Sequence, residues 1–447
     1  MAEHYDFIAL GGGNAGLGAS TLVAASGKKV ALIDPADIGG LCALRGCNPK
    51  KVLVRATEVL DAVRRAGEHG VATGEPRIDW NHVIDRKHRF TDPATKNAER
   101  GLADAGVERI RGQPRFIGPD RLQVAGRTLS FDAIVVATGS APTAFSFPGA
   151  EFVRTSDDIL ELRDVPRNLV IIGAGAVAFE FAQAYVRAGS EVHVLMRGTR
   201  ALRPFDADLV ARLVEHSRTL GITFHTNASV AAVSPDAVHL ADGSELAADF
   251  VLNAAGRTPQ LADLDLAAAG VDWSERGVSV DDFLQSRANP RVYAAGDAHG
   301  RLMLSPVASY EARIVAHNVL HPGAKQRADY GTIPSAVFTV PPLARVGMSE
   351  ADARDAGLAV EVSVQELATG IVFRIAGDAP AWGKLVCEKD SGRVLGVDLY
   401  HAGADDIIHV FALAMRHGVT RQQLAEMVYA YPTLAGAAAY LAAAPTG

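Results

Sequence analysis

The sequence predicts an α/β protein in which two similar nucleotide-binding domains are followed by a C-terminal α+β domain. Three observations support this prediction. An apolar strand, a glycine-rich turn, an alanine-rich helix and a second strand succeed one another over residues 6–34, and the same order returns over residues 169–196. From about Tyr330 the pattern changes to separate strand-like runs and then two alanine-rich helices, as in an α+β domain.

Length and composition are those of a multidomain globular protein. The 447 residues leave room for about three domains, and 48% hydrophobic and 21% charged residues are ordinary values. A net charge of −7 gives no reason to expect nucleic acid as a partner. No apolar run reaches the ~18 residues that span a bilayer, and the polar, acidic start does not resemble a secretory signal. We therefore expect a cytoplasmic protein without membrane contacts.

The first glycine-rich turn fits the dinucleotide-binding pattern G-x-G-x-x-G, between a strand and a helix. Its residues are Gly11, Gly13, Asn14, Ala15 and Gly16. Gly11 permits the tight turn, Gly13 lets the backbone approach a pyrophosphate, and Gly16 allows close packing of helix on strand. The helix N-terminus offers N–H groups to the phosphates. Asp34 ends the next strand, where a carboxylate accepts hydrogen bonds from a ribose.

The second glycine-rich turn has the same pattern with alanine at its third position. Its residues are Gly173, Gly175, Ala176 and Val177, followed by Ala178. At the end of the next strand Met196 replaces the acid expected of an NAD site, and Arg197, Arg200 and Arg203 follow. Arginines here can clamp the 2′-phosphate of NADP, so the sequence favours NADPH over NADH. The alternative is a solvated basic loop.

The chain contains three cysteines, of which Cys42 and Cys47 lie five residues apart and Cys387 stands alone. In an intracellular protein such a close pair is more typical of catalysis than of a structural disulfide. Zinc is a poor alternative because a closed site needs four Cys or His ligands and no others cluster near this pair. No metal site is therefore expected. If this segment opens a helix, the thiols lie on adjoining turns, and the helix N-terminus with nearby lysines lowers a thiol pKa.

Residues 39–51 resemble the redox-active segment of the class I FAD-dependent pyridine nucleotide-disulfide oxidoreductases, and depart from it only at Leu41. The resemblance runs nearly end to end and is closest to glutathione reductase, with further similarity to dihydrolipoamide dehydrogenase and mercuric reductase. Other matching positions are Gly40, Ala137, Thr138, Gly139, Gly256, Arg257, Gly296, Asp297, Pro306, Val307 and Ala308. The resemblance implies FAD and NADPH as cofactors and two Rossmann-like FAD/NAD(P)-binding domains with a dimerisation domain. The implied boundaries are 1–146 and 273–329 (FAD), 147–272 (NADPH) and 330–447 (dimerisation).

The resemblance also implies individual roles. Cys42 is the interchange thiol that attacks the substrate, and Cys47 is the charge-transfer thiol against the flavin. Lys50 pairs with Glu180 near the reactive nitrogen of the flavin, with Lys51 as the alternative lysine. Two arginines, Arg197 and Arg203, fall on those that hold the 2′-phosphate, and Asp297 on the aspartate that binds the ribityl chain.

One part of the family pattern is broken near the C-terminus. The family usually has His-Pro-Thr followed by Glu, a dyad that serves as acid and base for the interchange thiol. Here Tyr431 stands at the histidine position and Gly436 at the glutamate position. Tyr431 is either a donor to a leaving thiolate or an aromatic side chain packed at the dimer interface. Mercuric reductase has a tyrosine near this position, but its C-terminal cysteine pair is absent from this sequence.

The resemblance therefore implies a homodimer with active sites shared between subunits, which reduces a low-molecular-weight disulfide with NADPH. Asn14, Thr21 and Ala98 replace residues that hold glutathione disulfide in glutathione reductase, so that substrate is doubtful. One alternative is a flavoprotein reductase of quinones or of metal ions such as Hg(II), with the cysteines as a relay. Another is a flavin-bound redox sensor or a component of a dehydrogenase complex.

Overall fold

The computed structural model describes residues 2–377 and 380–444, and its first part is a largely parallel sheet with helices. The strands are β1 Glu3–Leu10, β2 Val30–Asp34, β3 Glu108–Arg111, β4 Arg115–Gly118, β5 Arg121–Val124, β6 Arg127–Val136 and β7 Ser140–Pro142. The helices are α1 Asn14–Ala24, α2 Gly40–Arg45, α3 Cys47–Arg64 and α4 Trp80–Asp104. The sheet has the order β3-β2-β1-β6-β5-β4.

The centre of this sheet is buried on both faces, which explains why β1 reads as a continuous apolar run. Phe7, Ile8, Ala9 and Leu10 are completely buried. Strand β1 pairs in parallel with β2 and β6, so the glycine-rich turn after Leu10 lies at the carboxyl edge of the sheet. This edge is where ligands bind in open α/β sheets.

A second sheet repeats this arrangement. Its region contains β8 Val153–Arg154, β9 Asn168–Ile172, β10 Glu191–Met196, β11 Ile222–Thr226, β12 Val230–Val233, β13 Ala237–Leu240, β14 Glu245–Ala247 and β15 Phe250–Asn253. Its helices are α5 Ser156–Ile159, α6 Ala176–Ala188 and α7 Ala207–Thr219. Five strands form a parallel sheet of order β11-β10-β9-β15-β8, and β12-β13-β14 form a separate antiparallel sheet.

The chain then returns to the first sheet. The elements of this stretch are β16 Arg257–Pro259, β17 Trp273–Ser274, β18 Gly277–Val278, β19 Val292–Ala294 and α8 Ser305–Leu320. Strand β19 pairs in parallel with β6, and α8 packs against α1. The first sheet is therefore built from two separate segments of the chain. The four domain boundaries themselves stay a prediction.

The C-terminal region is an antiparallel sheet with short helices. Its strands are β20 Ser335–Val337, β21 Leu343–Gly347, β22 Val360–Glu366, β23 Trp382–Glu388 and β24 Val394–Tyr400, in the order β20-β21-β24-β23-β22. Its helices are α9 Glu350–Asp355, α10 Ile371–Ala376, α11 Ala404–Arg416, α12 Arg421–Glu426 and α13 Ala437–Ala443. Within the described residues no helix combines the length and the apolar character needed to cross a membrane. The predicted α/β plus α+β fold class is confirmed.

Strand β20 ends at Val337, and the next residues leave the sheet. The N–H groups of Phe338 and Val340 donate to the side chains of Glu180 (2.9 Å) and Gln183 (2.8 Å) on α6 instead of to a neighbouring strand. This segment therefore ties the C-terminal sheet to the second nucleotide-binding unit.

Candidate active site

The first glycine-rich turn forms one wall of a cavity of about 590 Å³. Gly11 has φ +111°, and a Cβ on it would collide with the carbonyl oxygen of Ala137; a Cβ on Gly16 would collide with that of Gly11. A Cβ on Gly13, by contrast, would meet only Gly40, at 3.8 Å. Gly11 and Gly16 are needed for the fold, whereas Gly13 keeps space open on the cavity wall. Asn14 and Ala15 open α1 directly behind this wall.

Asp34, which the sequence predicts to accept hydrogen bonds from a ribose, is bonded to the glycine-rich turn. Its carboxylate accepts hydrogen bonds from the backbone N–H of Gly12 at 2.5 Å and of Ala36 at 2.7 Å, and it lines the first cavity. Asp34 thus ties the glycine-rich turn, which follows β1, to the end of β2. Gly40 and Leu41, at the start of α2, line the same cavity.

The opposite wall holds the predicted Asp297. It lies in a short 3₁₀ helix with Gly296, and it accepts a hydrogen bond from Ser140 Oγ at 2.6 Å. Arg257 in turn donates to Ser140 Oγ at 2.8 Å and to the Ser140 carbonyl at 2.5 Å. Thr138 donates to the Gln260 carbonyl at 2.7 Å. The predicted residues that line this cavity with them are Ala137 and Gly139.

Two residues that sequence reasoning missed support this wall. Ser140 joins Arg257 to Asp297, as described. Glu311, buried on α8, accepts from the Gly296 N–H at 2.6 Å and from Tyr330 Oη at 2.6 Å. Each partner pair is far apart in sequence, so no local pattern marks either residue. The predicted Pro306, Val307 and Ala308 form the first turn of α8, in which Val307 and Ala308 are buried.

The second glycine-rich turn borders a separate cavity of about 680 Å³. A Cβ on Gly173 (φ +116°) would collide with the Ala254 carbonyl oxygen, whereas a Cβ on Gly175 would meet no atom within 4 Å. Ala176 also lines the cavity and begins α6, with Val177 next along the helix. Gly256 lies on the same wall. The geometry of the first turn is repeated here closely.

The predicted arginines lie together on this second cavity. Arg197, Arg200 and Arg203 all line it, next to Met196. Arg200 donates to the backbone carbonyls of Arg203 (3.1 Å) and Phe205 (2.8 Å), so it holds the loop. In the part of the chain that the structure describes, no carboxylate forms an ion pair with Arg197 or Arg203. These two guanidinium groups retain their capacity for an anion.

The cysteine segment folds as two consecutive helices. Cys42 lies in α2 and Cys47 begins α3, and Gly46 (φ −137°, ψ −110°) separates the two helices. Five residues of an uninterrupted helix would turn the second side chain by about 140° away from the first. The break at Gly46 brings the thiols into hydrogen-bonding contact, and both are free thiols.

The two thiols have different acidities. The pKa of Cys42 is lowered to about 6, first by the hydrogen bond from Cys47, and further by one from Ser305 and by the positive charge of Lys50. The same thiol–thiol contact raises the pKa of Cys47, which keeps its proton. The pair thus holds one proton, with the negative charge on Cys42. Ser305 Oγ lies 3.0 Å from Cys42 Sγ, a contact that the sequence did not indicate.

Lys50, rather than Lys51, forms an ion pair with Glu180. Glu180 is buried on α6, so this contact joins α3 to the second nucleotide-binding unit. Lys51 points elsewhere: its ammonium lies 3.6 Å from Glu58, 3.8 Å from Asp405 and 4.0 Å from the Phe338 ring centroid. A role of Lys51 at the flavin stays a prediction that these contacts do not favour.

Tyr431 lies on the loop between α12 and the 3₁₀ turn Leu434–Gly436, with 72% of its surface exposed. Within the described residues it makes no hydrogen bond. Both interpretations of Tyr431 therefore stay open within one protomer.

Comparisons with known proteins identify the class. Residues 5–312 match the pyridine nucleotide-disulphide oxidoreductase family, and residues 333–442 match its dimerisation domain. Glutathione reductase from Burkholderia cepacia is 32% identical over 442 residues, covering 96% of this chain and 97% of that protein. Mercuric reductase from Bacillus cereus is 30% identical over 442 residues, covering 96% of this chain and 70% of that protein.

Among solved structures, the HOCl-induced flavoprotein disulfide reductase RclA from Escherichia coli has a TM-score of 0.88 at 27% identity, covering 98% of this chain and 99% of that one. A Cu(II) complex of RclA matches with the same TM-score. The chain belongs to the pyridine nucleotide-disulphide oxidoreductase family. It is an oxidoreductase that uses FAD and NAD(P)H.

The two cavities fit these cofactors. Each has a glycine whose missing side chain leaves room for a pyrophosphate at a helix N-terminus, and the second adds guanidinium groups.

Proposed function

We propose that the protein is an NADPH-dependent reductase of a low-molecular-weight disulfide, acting through Cys42 and Cys47. One observation carries the proposal: the two thiols lie in hydrogen-bonding contact, which lowers the pKa of Cys42 and raises that of Cys47. Leu41 and Arg45, on the helix of Cys42, line the first cavity. The ion pair Lys50–Glu180 joins the adjoining helix α3 to α6.

Each cavity supplies the residues that would bind one of the two cofactors. In the first, the backbone of Gly13 and the side chains of Asp34 and Asp297 would hold FAD. In the second, the backbone of Gly175 with Arg197 and Arg203 would hold NADPH, and the two guanidinium groups favour its 2′-phosphate. Bound FAD supplies the transfer of two electrons from the nicotinamide to the thiol pair.

The chemistry of the thiols follows from their acidities. The Cys42 thiolate attacks one sulfur of the substrate, so that the substrate S–S bond breaks, Cys42 becomes disulfide-linked to one half, and the other half leaves as a thiolate. That thiolate takes the proton of Cys47. Cys47 then attacks Cys42 Sγ, expels the second thiolate and closes the Cys42–Cys47 disulfide. The substrate gains the two electrons that the dithiol loses.

The dimerisation domain supports a homodimer. We propose that Tyr431 of one protomer lies near Cys42 of the other and assists the leaving thiolate, since its phenol is exposed on this domain. A reducing compartment such as the cytoplasm suits a dithiol of this kind and stays our prediction.

A second candidate is the reduction of metal ions or quinones. Tyr431 and Gly436 stand where the family has its histidine and glutamate, and an acceptor that is not a thiol needs no proton donor for a leaving group. Mercuric reductase and the RclA–Cu(II) complex are the relatives that support this candidate.

The proposal is tested with the purified flavoprotein under anaerobic conditions. NADPH should bleach the flavin and increase the number of free thiols by two, and Cys42→Ser should abolish disulfide turnover. Cys387→Ala is the matched control, since Cys387 is buried in β23, and should retain turnover. A protein without flavin, or a Cys42→Ser variant with full activity, would refute the proposal.

The second candidate is separated from the first by steady-state NADPH oxidation. One set of assays uses a panel of low-molecular-weight disulfides, and the other uses Hg(II), Cu(II) and a quinone. Turnover confined to disulfides supports the first candidate, and turnover confined to metal ions or quinones supports the second.

A further inference from the structure

A line of two hydrogen bonds ends on the Cys42 sulfur. The Asn14 side-chain amide donates to Ser305 Oγ at 2.5 Å, and Ser305 Oγ donates to Cys42 Sγ at 3.0 Å. The three residues begin or lie in α1, α8 and α2, and 263 positions separate Ser305 from Cys42. Three separate helices thus converge on one sulfur atom.

The direction of both bonds is determined by chemistry. The Nδ2 amide of Asn14 is a donor only, so Ser305 Oγ must accept from it. Ser305 has a single hydroxyl proton, which is then directed to Cys42. An accepting sulfur is favoured as a thiolate, because a hydrogen bond to a charged acceptor is about twice as strong as one to a neutral acceptor.

We propose that Ser305, oriented by Asn14, is the positioning residue that keeps Cys42 as a thiolate. In this way the subunit supplies from its own helices the ionisation of Cys42 for which the family otherwise uses the histidine–glutamate dyad. The inference deepens the proposed function, since it assumes that Cys42 is the thiol that attacks the substrate.

The other groups that face Cys42 act in the same direction. Cys47 and Lys50, both on α3, supply a hydrogen bond and a positive charge, and the carboxylate of Glu180 is held by Lys50 rather than by the thiol. Helices α1 and α8 contribute the neutral donors Asn14 and Ser305. The groups that lower the pKa of Cys42 most are Cys47, Ser305 and Lys50, and none of them is a carboxylate.

The experiment measures alkylation rather than turnover. The flavin-bound protein is reduced with dithiothreitol, freed of reductant anaerobically and treated with iodoacetamide between pH 4.5 and 9. Peptide mass spectrometry then gives separate rates for Cys42 and Cys47. In the unchanged protein Cys42 should react first, with a half-maximal rate near pH 6.

Ser305→Ala should raise the Cys42 midpoint by about one to two pH units, and Asn14→Ala by about half a unit. Ser305→Thr retains the hydroxyl and should restore the original midpoint. Ser349→Ala removes another serine at a helix start, on α9, and should leave the midpoint unmoved. Bound flavin reports that each variant is folded. If Ser305→Ala does not fold, the Cys42 midpoints of Asn14→Ala and Ser305→Thr provide the test.

An unchanged midpoint in Ser305→Ala, or a Cys47 that reacts before Cys42, would overturn the inference. These outcomes are independent of the proposed function, because flavin bleaching by NADPH and disulfide turnover are measured separately. If the protein reduces disulfides but Ser305→Ala does not shift the midpoint, the role of Ser305 is refuted and the proposed function stands.

Discussion

The two glycine-rich turns share a backbone but differ in the side chains that follow them. Gly11 and Gly173 have φ of +111° and +116°, and both face a carbonyl oxygen at the end of a neighbouring strand. Gly13 and Gly175 both leave space at a cavity wall. The difference begins at the end of the next strand, where the first unit has Asp34 and the second has Met196.

This difference indicates which part of a dinucleotide site is general and which part is selective. The backbone of either turn suits any pyrophosphate, since N–H groups at a helix N-terminus recognise only the charge. Asp34 would repel a 2′-phosphate, whereas the arginines after Met196 would attract it. Discrimination between nucleotides therefore rests on a few side chains outside the glycine pattern.

The largest expected effect comes from glycine substitutions in the second turn. Gly173→Ala forces a Cβ into the Ala254 backbone at a positive φ, so we expect loss of the folded domain. Gly175→Leu should fold, because a Cβ there meets no atom within 4 Å, but its side chain fills the phosphate space. Thermal unfolding and flavin bleaching by NADPH separate the two effects. Unimpaired bleaching in Gly175→Leu would contradict this placement of the coenzyme.

The arginines should control the choice of coenzyme. Replacing Arg197 and Arg203 together by Gln removes two charge-assisted bonds to the 2′-phosphate, which should raise the KM for NADPH by roughly 100-fold and leave that for NADH nearly unchanged. Steady-state kinetics with both coenzymes provide the measurement. Arg218→Gln, on the surface of α7, is the control. An equal loss with NADPH and NADH would show that the arginines only maintain the loop.

Local sequence patterns predicted those features whose residues lie close together in the sequence. The two glycine turns, their strands and the thiol pair all belong to this group. The sequence could not indicate Ser140 or Glu311, because each acts on a residue more than ten positions away and serine and glutamate are common on any surface. Ser305 stands in a segment that resembles the family, but nothing in the sequence places it beside Cys42. The break at Gly46 was missed because a glycine inside a helical pattern marks a break only when tertiary contacts require one.

Asp34 provides a smaller test of the first unit. Asp34→Asn retains the size but has one acceptor oxygen where the carboxylate has two, so one of the N–H groups of Gly12 and Ala36 faces an amide NH2 and loses its bond. We expect about tenfold weaker retention of FAD with the fold intact. Flavin release followed by fluorescence measures this. Asp104→Asn, exposed at the end of α4 and away from the first cavity, should release flavin like the unchanged protein.

A buried polar cluster anchors the second unit to the C-terminal domain. Asp206 caps α7 just after the arginine loop, and its carboxylate lies 2.9 Å from the ammonium of Lys384 on β23. Lys384 also contacts Glu350 at 3.0 Å, and the Asp206 N–H donates to Asp398 at 3.3 Å. This buried cluster fixes the arginine loop to the C-terminal sheet.

The smallest expected effect is a pH dependence of this anchor. Burial raises the pKa of Asp398 from 3.8 to about 6. A carboxyl group with a raised folded-state pKa gives stability that is complete below pH 3.8 and is lost as the pH rises through 6. The unfolding midpoint of the unchanged protein should therefore fall by a few degrees relative to Asp398→Asn between pH 4 and 6.5.

Using the difference between the two proteins removes the opposite contribution of Glu350, whose pKa is lowered by Lys384. Asp390→Asn, in the exposed turn before β24, should show no such difference. If Asp398→Asn and the unchanged protein gave parallel curves, Asp398 would be ionised throughout, and the cluster would hold the arginine loop equally well at every pH.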